Sequence, residues 1–409
     1  MSDALKVIPL RGRICIVAHD PGLQGAERAM FDMALFLREA GWDVTVLIPT
    51  GPGGLRRLVE DAGLKHVTRR YFYWMGPGRL WGRLKRTLFN LIALPGLVKF
   101  FRTQGFDAIY THSTAVGVSA LAARISGQPH VWHMHEFGPF EQGDRNLKYD
   151  LSEALTLALM RWTNSTFVAV AKVIRETFQP HLGDSDIRVV YQPVPFEPAL
   201  AKEDYDATKK IGTIKGPKII YVGAVTETKR QEDAIRALPH ILENHPEARL
   251  ILGGRVEPRY GAQMESLAKE LGVEHAVVTL GYLSNAPAVI GLCDISINCR
   301  LAEASPRVLV ESMMAGTVVV AAGGGGNVEA ITVETGLLYH PRDPKDLAAR
   351  ITWLIDHPDK AEKIAATAQL IAVRERDVTN YKDQYVSLIE DAIGSARDAN
   401  RLKKESKKT

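Results

Sequence analysis

Short apolar runs, many of them β-branched, alternate along this chain with longer stretches whose apolar positions recur every three or four residues. The short runs predict strands at residues 13–18, 43–48, 107–111, 130–134, 167–170 and 188–191 in the first half. In the second half they fall at 218–222, 249–252, 276–280, 295–298 and 317–321. Helical spacing is clearest at 27–40, 231–243 and 262–271. Continuously apolar strands separated by helices predict parallel sheets covered on both faces. The alternation breaks once, at 192–216, where Pro193, Pro195 and Pro198 precede a charged stretch ending at Gly216-Pro217. The expected organisation is a first α/β domain over 1–195, a linker at 196–216 and a second domain over 217–376. A helix at 377–396 and a basic tail at 397–409 follow. That helix lies beyond the last strand and is free to pack back on the first domain. Ligands of such sheets bind at the carboxyl ends of the strands. Two of them facing each other would enclose a cleft.

Composition supports two well-cored domains: 409 residues, 46% hydrophobic and 24% charged, without a low-complexity tract. A net charge of +4 is too mild to indicate a nucleic-acid binder. Three cysteines without metal-ligand spacing, Cys15, Cys293 and Cys299, argue against a disulfide framework and against a zinc site. The opening MSDALKVIPLRGR has no apolar signal core, so a cytoplasmic location is expected.

The densest chemistry lies in CRLAEASPRVLVESMMAG, residues 299–316. Ser305 is suited to cap a helix, Pro306 to its first turn and Gly316 to its end. Val308, Leu309, Val310, Met313 and Met314 make that helix apolar nearly all round, hence buried. A loop would deliver Glu303 to the helix mouth, where free N–H groups around Arg307 and Val308 make an anion site suited to a diphosphate. Glu311 would sit on the second turn. Carboxylates accept from sugar and ribose hydroxyls two at a time. The spacing of the two glutamates is not decisive, since Glu257 and Glu265 share it. The frame around them is.

That frame resembles glycosyltransferase family 4, whose signature is E-x7-E followed by A/S-M-A-x-G. The downstream stretch TVVVAAGGGGNVEAITVETGLLYHPRDPKDLA is similar to the family's closing segment. The resemblance covers nearly the whole chain. It implies the α/β GT-B fold: two facing Rossmann-like domains with parallel sheets and an interdomain cleft. It implies that Glu303 meets the donor sugar, Glu311 the nucleotide ribose, and the backbone of Ala304, Ser305, Arg307 and Val308 the sugar and phosphates. In YVGAVTETKRQEDAI, Gly223 permits a tight turn. Lys229 matches the family's phosphate lysine, but Ala224 stands where the family has an arginine. Arg230, Arg300 or Arg307 is then expected to supply the missing charge.

In the first domain, HDPGLQGAER is a strand–loop–helix element but not G-x-G-x-x-G. Its G-A-E-R resembles the family's acceptor-side loop beside the donor phosphate, which implicates Gly25. Glu27 and Arg28 read as helix-surface or salt-bridging residues as readily as ligand contacts. His19, His112, His133 and His135 end or follow strands, and His133 and His135 share one strand face. They read either as a metal pair, for which the sequence shows no third ligand, or as polar groups at the cleft. By the resemblance, His135-Glu136 is the family's H-D/E dipeptide beside the transferred sugar and acceptor, with His112 second.

The expected activity is a retaining glycosyltransferase. It would move a hexose-type sugar from a nucleotide-diphosphate donor to a saccharide or lipid-linked acceptor, in cell-surface polysaccharide or glycolipid synthesis. His135, Glu303 and Lys229 would be its catalytic groups. The resemblance implies same-face attack, in which a donor phosphate oxygen takes the acceptor proton. No cofactor beyond the nucleotide sugar is expected, and no metal, since no D-x-D sits at a strand end. The alternatives are a GT-B scaffold subunit with weakened catalysis, which Ala224 would favour, or a nucleotide-sugar epimerase. Residues 79–102 mix Arg and Lys with Trp81, Leu84, Leu88, Phe89, Phe100 and Phe101. They read either as a basic interfacial element on the inner leaflet of the cytoplasmic membrane or as an ordinary crossover helix. No nucleic-acid partner is expected, and a monomer or a weak dimer fits equally.

Overall fold

The computed structural model describes residues 10–23, 25–76, 79–140, 147–196, 199–375 and 378–405, with the side chains of 381–398 in the last stretch. Side chains at the end of the basic tail, and Pro198 of the expected linker, lie outside the described residues. The chain divides into two compact units: residues 1–193 with 378–409, and residues 194–377.

The first unit is built on a seven-stranded sheet. Its strands are β1 (Gly12–Val17), β2 (Trp42–Pro49), β3 (Lys65–Arg69), β4 (Ala108–Thr111), β5 (His130–Met134), β6 (Thr166–Ala169) and β7 (Ile187–Val189). Their order is β3-β2-β1-β4-β5-β6-β7, every pair parallel. Alternation along β1 sends Ile14 and Ile16 to a core with Met30, Met33 and Leu37. It sends Cys15 and Val17 to a second core with Leu97, Phe100, Phe101 and Ile109. Two-faced burial is why these strands read as unbroken apolar runs. The C-terminal helix, Val378–Glu405, belongs to this unit and runs past its expected end at 396 into the stretch expected as a basic tail. Its Tyr381, Tyr385, Val386, Leu388, Ile389 and Ala392 form one helical stripe in the Met30–Met33 core.

The second unit has a six-stranded parallel sheet. Its strands are β8 (Lys218–Val222), β9 (Arg249–Gly253), β10 (Val277–Gly281), β11 (Ile295–Asn298), β12 (Val318–Ala322) and β13 (Leu337–Tyr339), in the order β10-β9-β8-β11-β12-β13. Val318 and Val320 face the core of the Gln231–Leu242 and Pro344–Asp356 helices. Val319 and Ala321 face Leu309, Val310, Met313 and Met314 of the Arg307–Met314 helix.

Two details differ from the pattern read along the sequence. β3, whose residues are KHVTR, and the three-residue β13 are edge strands. β3, with only one paired neighbour, keeps polar residues and loses the apolar signature, whereas β13 is apolar (Leu337, Leu338, Tyr339) but three residues make too short a run. Part of the 196–216 stretch expected as linker is structured. Tyr205–Gly212 is a helix that buries Ala207 and Ile211, one turn apart, against Ile220, Ile251 and Leu283 of the second unit. The 79–102 segment forms a single helix, Leu80–Gln104. It buries Leu97, Val98, Phe100 and Phe101 but leaves Leu80, Trp81, Leu84, Leu88, Leu91 and Ile92 exposed. Among the described residues no helix is long and apolar enough to cross a membrane.

Candidate functional site

In the second unit, Gly223 follows β8 with φ +151°. Gly254 follows the neighbouring β9 so closely that a Cβ on it would lie 2.0 Å from the Gly223 carbonyl oxygen. The two strand ends can come together only as glycines. The loop beyond Gly223 runs into a short turn, Glu227–Lys229, held by a hydrogen bond from the Tyr221 hydroxyl to the Lys229 carbonyl. The Lys229 ammonium reaches Glu303 Oε2 at 3.1 Å. Arg300 Nη1 meets the same carboxylate at 3.3 and 3.4 Å. Glu303 keeps only 12% of its side chain exposed. Burial works to raise its pKa, but the charges and hydrogen bonds of Lys229 and Arg300 outweigh it, and the net shift is downward. Two cations therefore share one ionised carboxylate.

The backbone that carries this group is fixed by the glycine run. Gly326 N–H donates to the Glu303 carbonyl at 2.5 Å, and a Cβ on Gly326 would fall 2.4 Å from the Ala304 carbonyl oxygen. Asn327 Nδ2 donates to the carbonyls of Arg300 at 3.1 Å and Ala322 at 3.0 Å. The glycines thus let the loop after β12 lie directly on the loop after β11. Neither this role nor that of Asn327 was read from the sequence, although the four-glycine run marked the spot.

The helix start differs from the expected one. Ser305 does not cap it; the helix is Arg307–Met314 and Pro306 holds the cap position without a side-chain hydrogen bond. A proline disfavours helical backbone at the residue before it, so Ser305 stays outside. The Arg307 amide bonds to the Ser305 carbonyl at 2.9 Å, which leaves the amide of Val308 as the one of the expected pair still available. The helix ends as expected. Gly316, at φ +75°, donates to Met313 and Thr317 donates to Ser312, closing a Schellman turn. Glu311 lies 3.9 Å from Arg307 on the same helix. Arg230 is held instead by its own helix, with bonds of 3.0 and 2.7 Å to Asp233 and a 3.3 Å contact to Glu232. Of the three arginines expected to replace the missing cation, Arg300 is the one that joins Lys229 on Glu303.

Two family profiles match these units in turn. Residues 204–370 match Glycosyl transferases group 1, and residues 23–197 match Glycosyltransferase Family 4. The chain belongs to glycosyltransferase family 4. An uncharacterized glycosyltransferase of Methanocaldococcus jannaschii is 29% identical over 264 residues, 61% of this chain and 65% of that one. The 2-deoxystreptamine glucosyltransferase of Streptomyces kanamyceticus is 26% identical over 287 residues, 65% of this chain and 72% of that one. The Anabaena HepE structure solved with UDP and glucose superimposes with a TM-score of 0.75 at 23% identity, covering 93% of this chain and all of HepE. The fold is GT-B, with one Rossmann-like sheet per unit.

The first unit gathers polar groups at the ends of β1, β4 and β5. Glu27, on the helix that starts at Gly25, is buried and pairs with His19 Nδ1 at 2.9 Å. Burial opposes charge on that ring, but Glu27 prevails and His19's pKa is raised. Glu136 accepts from Ser113 Oγ at 2.7 Å, and from Thr114 N at 3.0 Å and Oγ1 at 2.7 Å. It clamps the turn after His112. His112 joins the His133–His135 pair, for which the sequence showed no third partner. β4 and β5 are parallel neighbours with Thr111 opposite Trp132, so the next residue, His112, comes beside His133. Ring centroids are 5.0 Å apart for His112–His133, 3.9 Å for His112–His135 and 4.2 Å for His133–His135. Burial pushes the His133 pKa down to about 3, so that ring is neutral.

Proposed function

We propose that the chain is a retaining, metal-independent hexosyltransferase that uses a nucleotide-diphosphate sugar and serves polysaccharide or glycolipid synthesis. The observation that carries this reading is the Glu303 carboxylate shared by Lys229 and Arg300, on the loop that leads into the Arg307–Met314 helix. Two cations and a helix N–H are suited to a diphosphate, and a carboxylate to sugar hydroxyls. HepE, solved with UDP and glucose, supports a uridine nucleotide sugar as the first donor to try. In the proposed step the bond from the sugar's anomeric carbon to the diphosphate oxygen breaks. A bond to the acceptor oxygen forms on the same face, and the acceptor's proton passes to a phosphate oxygen. Lys229 and Arg300 hold the negative charge that develops on the diphosphate, and Arg300 takes the part of the cation missing at Ala224. Glu303 binds the sugar, Glu311 the ribose, and the Gly223 turn and the backbone at 304–308 the phosphates. His135, with His112 and Glu136, is assigned to the acceptor side of the first unit. A thermal-shift screen of nucleotide sugars should single out one donor, and that donor should be turned over with its anomeric configuration kept, as read by NMR of the product. An inverted product overturns the retaining mechanism, and no response to any nucleotide sugar overturns the transferase reading.

The acceptor is proposed to be lipid-linked and met at an anionic membrane surface. Six large apolar side chains, with Trp81 83% exposed, stand on the Leu80–Gln104 helix. That helix carries exposed Lys85, Lys99 and Arg102 and not one acidic residue. An apolar stripe among cations matches an interface of acyl chains and anionic headgroups. The protein should float with phosphatidylglycerol vesicles, and the triple variant Trp81→Ser, Leu88→Ser, Leu91→Ser should not. Flotation equal for both, or absent from both, removes the membrane assignment.

A further inference from the structure

Three imidazoles meet at the ends of two adjacent strands of the first unit. Their ligand-capable nitrogens all lie within 4.8 Å of one another. The backbone sets this closeness. Strand alternation puts His133 and His135 on one face of β5, and the β4–β5 register sets His112 beside them. A tetrahedral ion about 2.0–2.1 Å from each imidazole nitrogen brings those nitrogens to about 3.4 Å of one another, a closure that side-chain rotation must supply.

The surroundings are those of a ligand set. The Tyr110 hydroxyl lies 2.9 Å from His133 Nδ1. If that nitrogen donates to the phenol oxygen, the lone pair of His133 is on Nε2. Nε2 is fully buried, 0% of the residue being exposed, and has no hydrogen-bond partner among the described residues. The Gln192 amide lies 2.8 Å from His135 Nδ1. A half-turn of that amide puts its oxygen there, and the Nε2 of His135 becomes the second lone pair. Outer partners of this kind fix the tautomer and orientation of metal-bound histidines. Glu136, the nearest carboxylate in sequence, is already saturated by Ser113 and Thr114. Three neutral nitrogen ligands without a carboxylate suit zinc, cobalt or nickel, and do not suit magnesium or calcium, which take oxygen ligands.

We propose that His112, His133 and His135 bind one divalent ion of the zinc type through three imidazole nitrogens, with a fourth position left open. His133 Nε2 and His135 Nε2 are both buried atoms, so the ion would sit enclosed at the strand ends. Such an ion ties the end of β4 to the end of β5 and stabilises the folded unit by mass action. The three ligands all belong to the first unit, on the acceptor side of the proposed reaction; the ion would hold those imidazoles in place and take no part in the transfer step, and its test needs no transfer reaction.

The test uses untagged, full-length protein dialysed first against a chelator. Added cobalt(II) should give the intense visible absorption of a four-coordinate site. Zinc should displace it at one equivalent per chain, and the melting temperature should rise by several degrees. His112→Ala and His135→Gln should each weaken binding at least about tenfold, as loss of a ligand does. His133→Ala should abolish binding, and circular dichroism will show whether that buried variant folds. His275→Ala, at an exposed histidine of the second unit, should bind like the parent. The weak spectrum of a six-coordinate aquo ion overturns the site. So does zinc uptake below half an equivalent, or full binding by His112→Ala and His135→Gln. In any of those cases the trio is a hydrogen-bonded packing cluster.

Discussion

Replacing Lys229 with alanine should lower donor turnover by about 10²–10³-fold, the cost of removing one preorganised donor from developing charge. The size follows from how few cations are present. Ala224 offers none, and Arg230 is held by Asp233 and Glu232. Arg307 lies 3.9 Å from Glu311 on its own helix, which leaves Lys229 and Arg300, both on the Glu303 carboxylate. In the absence of donor that carboxylate holds the two side chains in place. When a diphosphate arrives, they are already aimed and little reorganisation is needed. Lys229→Arg should recover part of the rate, and Lys229→Ala with Arg300→Ala should fall further than either alone. Initial-rate kinetics with the donor found by thermal shift will decide. An unchanged rate and donor affinity in Lys229→Ala would remove Lys229 from the site.

The second large effect is expected at Glu303. Glutamine there leaves Lys229 and Arg300 close together without their counter-charge and should destabilise the second unit by about 1–3 kcal/mol. It also removes the proposed sugar contact, so the donor should no longer raise the melting temperature. The pH dependence has a definite sign. A carboxyl whose pKa is lowered by folding contributes stability above its ordinary value of 4.5 and loses it as pH falls through the folded value. Donor affinity should therefore stay flat from neutral pH down to about 4.5 as far as Glu303 is concerned, and decline only below. Melting curves and donor titrations across that range, for the parent and for Glu303→Gln, will show it. A Glu303-dependent loss of affinity between pH 5 and 7 would mean a carboxyl with a raised pKa, and the two cations would then not be its partners.

The central strands and most of the buried helix faces were legible because a buried face leaves a period in the sequence. β8 and β11 begin and end where the apolar runs do, at 218–222 and 295–298. β3 was missed because an edge strand need not be apolar, β13 because three apolar residues make too short a run, and the Tyr205–Gly212 helix because two buried residues make too short a pattern. Ser305 was misread as a cap because its residue type suits one. The proline after it governs its backbone instead. Glu303, Lys229 and Gly223 were legible as a motif, whereas the partnership of Arg300 with Glu303 was not, because it depends on the path of the 299–304 loop beneath the glycines.

By itself, the sequence determined two parallel α/β units, the E-x7-E frame at the head of a buried helix, and membership of a glycosyltransferase family. These are local matters: periodicity, turn chemistry and residue spacing act over a few residues and are written in order along the chain. Only the tertiary structure decided which cations share Glu303, that Gly326 and Asn327 hold its loop, that the last helix completes the core of the first unit, and that His112 joins His133 and His135. Each of these joins residues by strand register or by loop-on-loop contact. Such pairings are chosen by the whole sheet burying its two faces at once, and no short stretch of sequence records them.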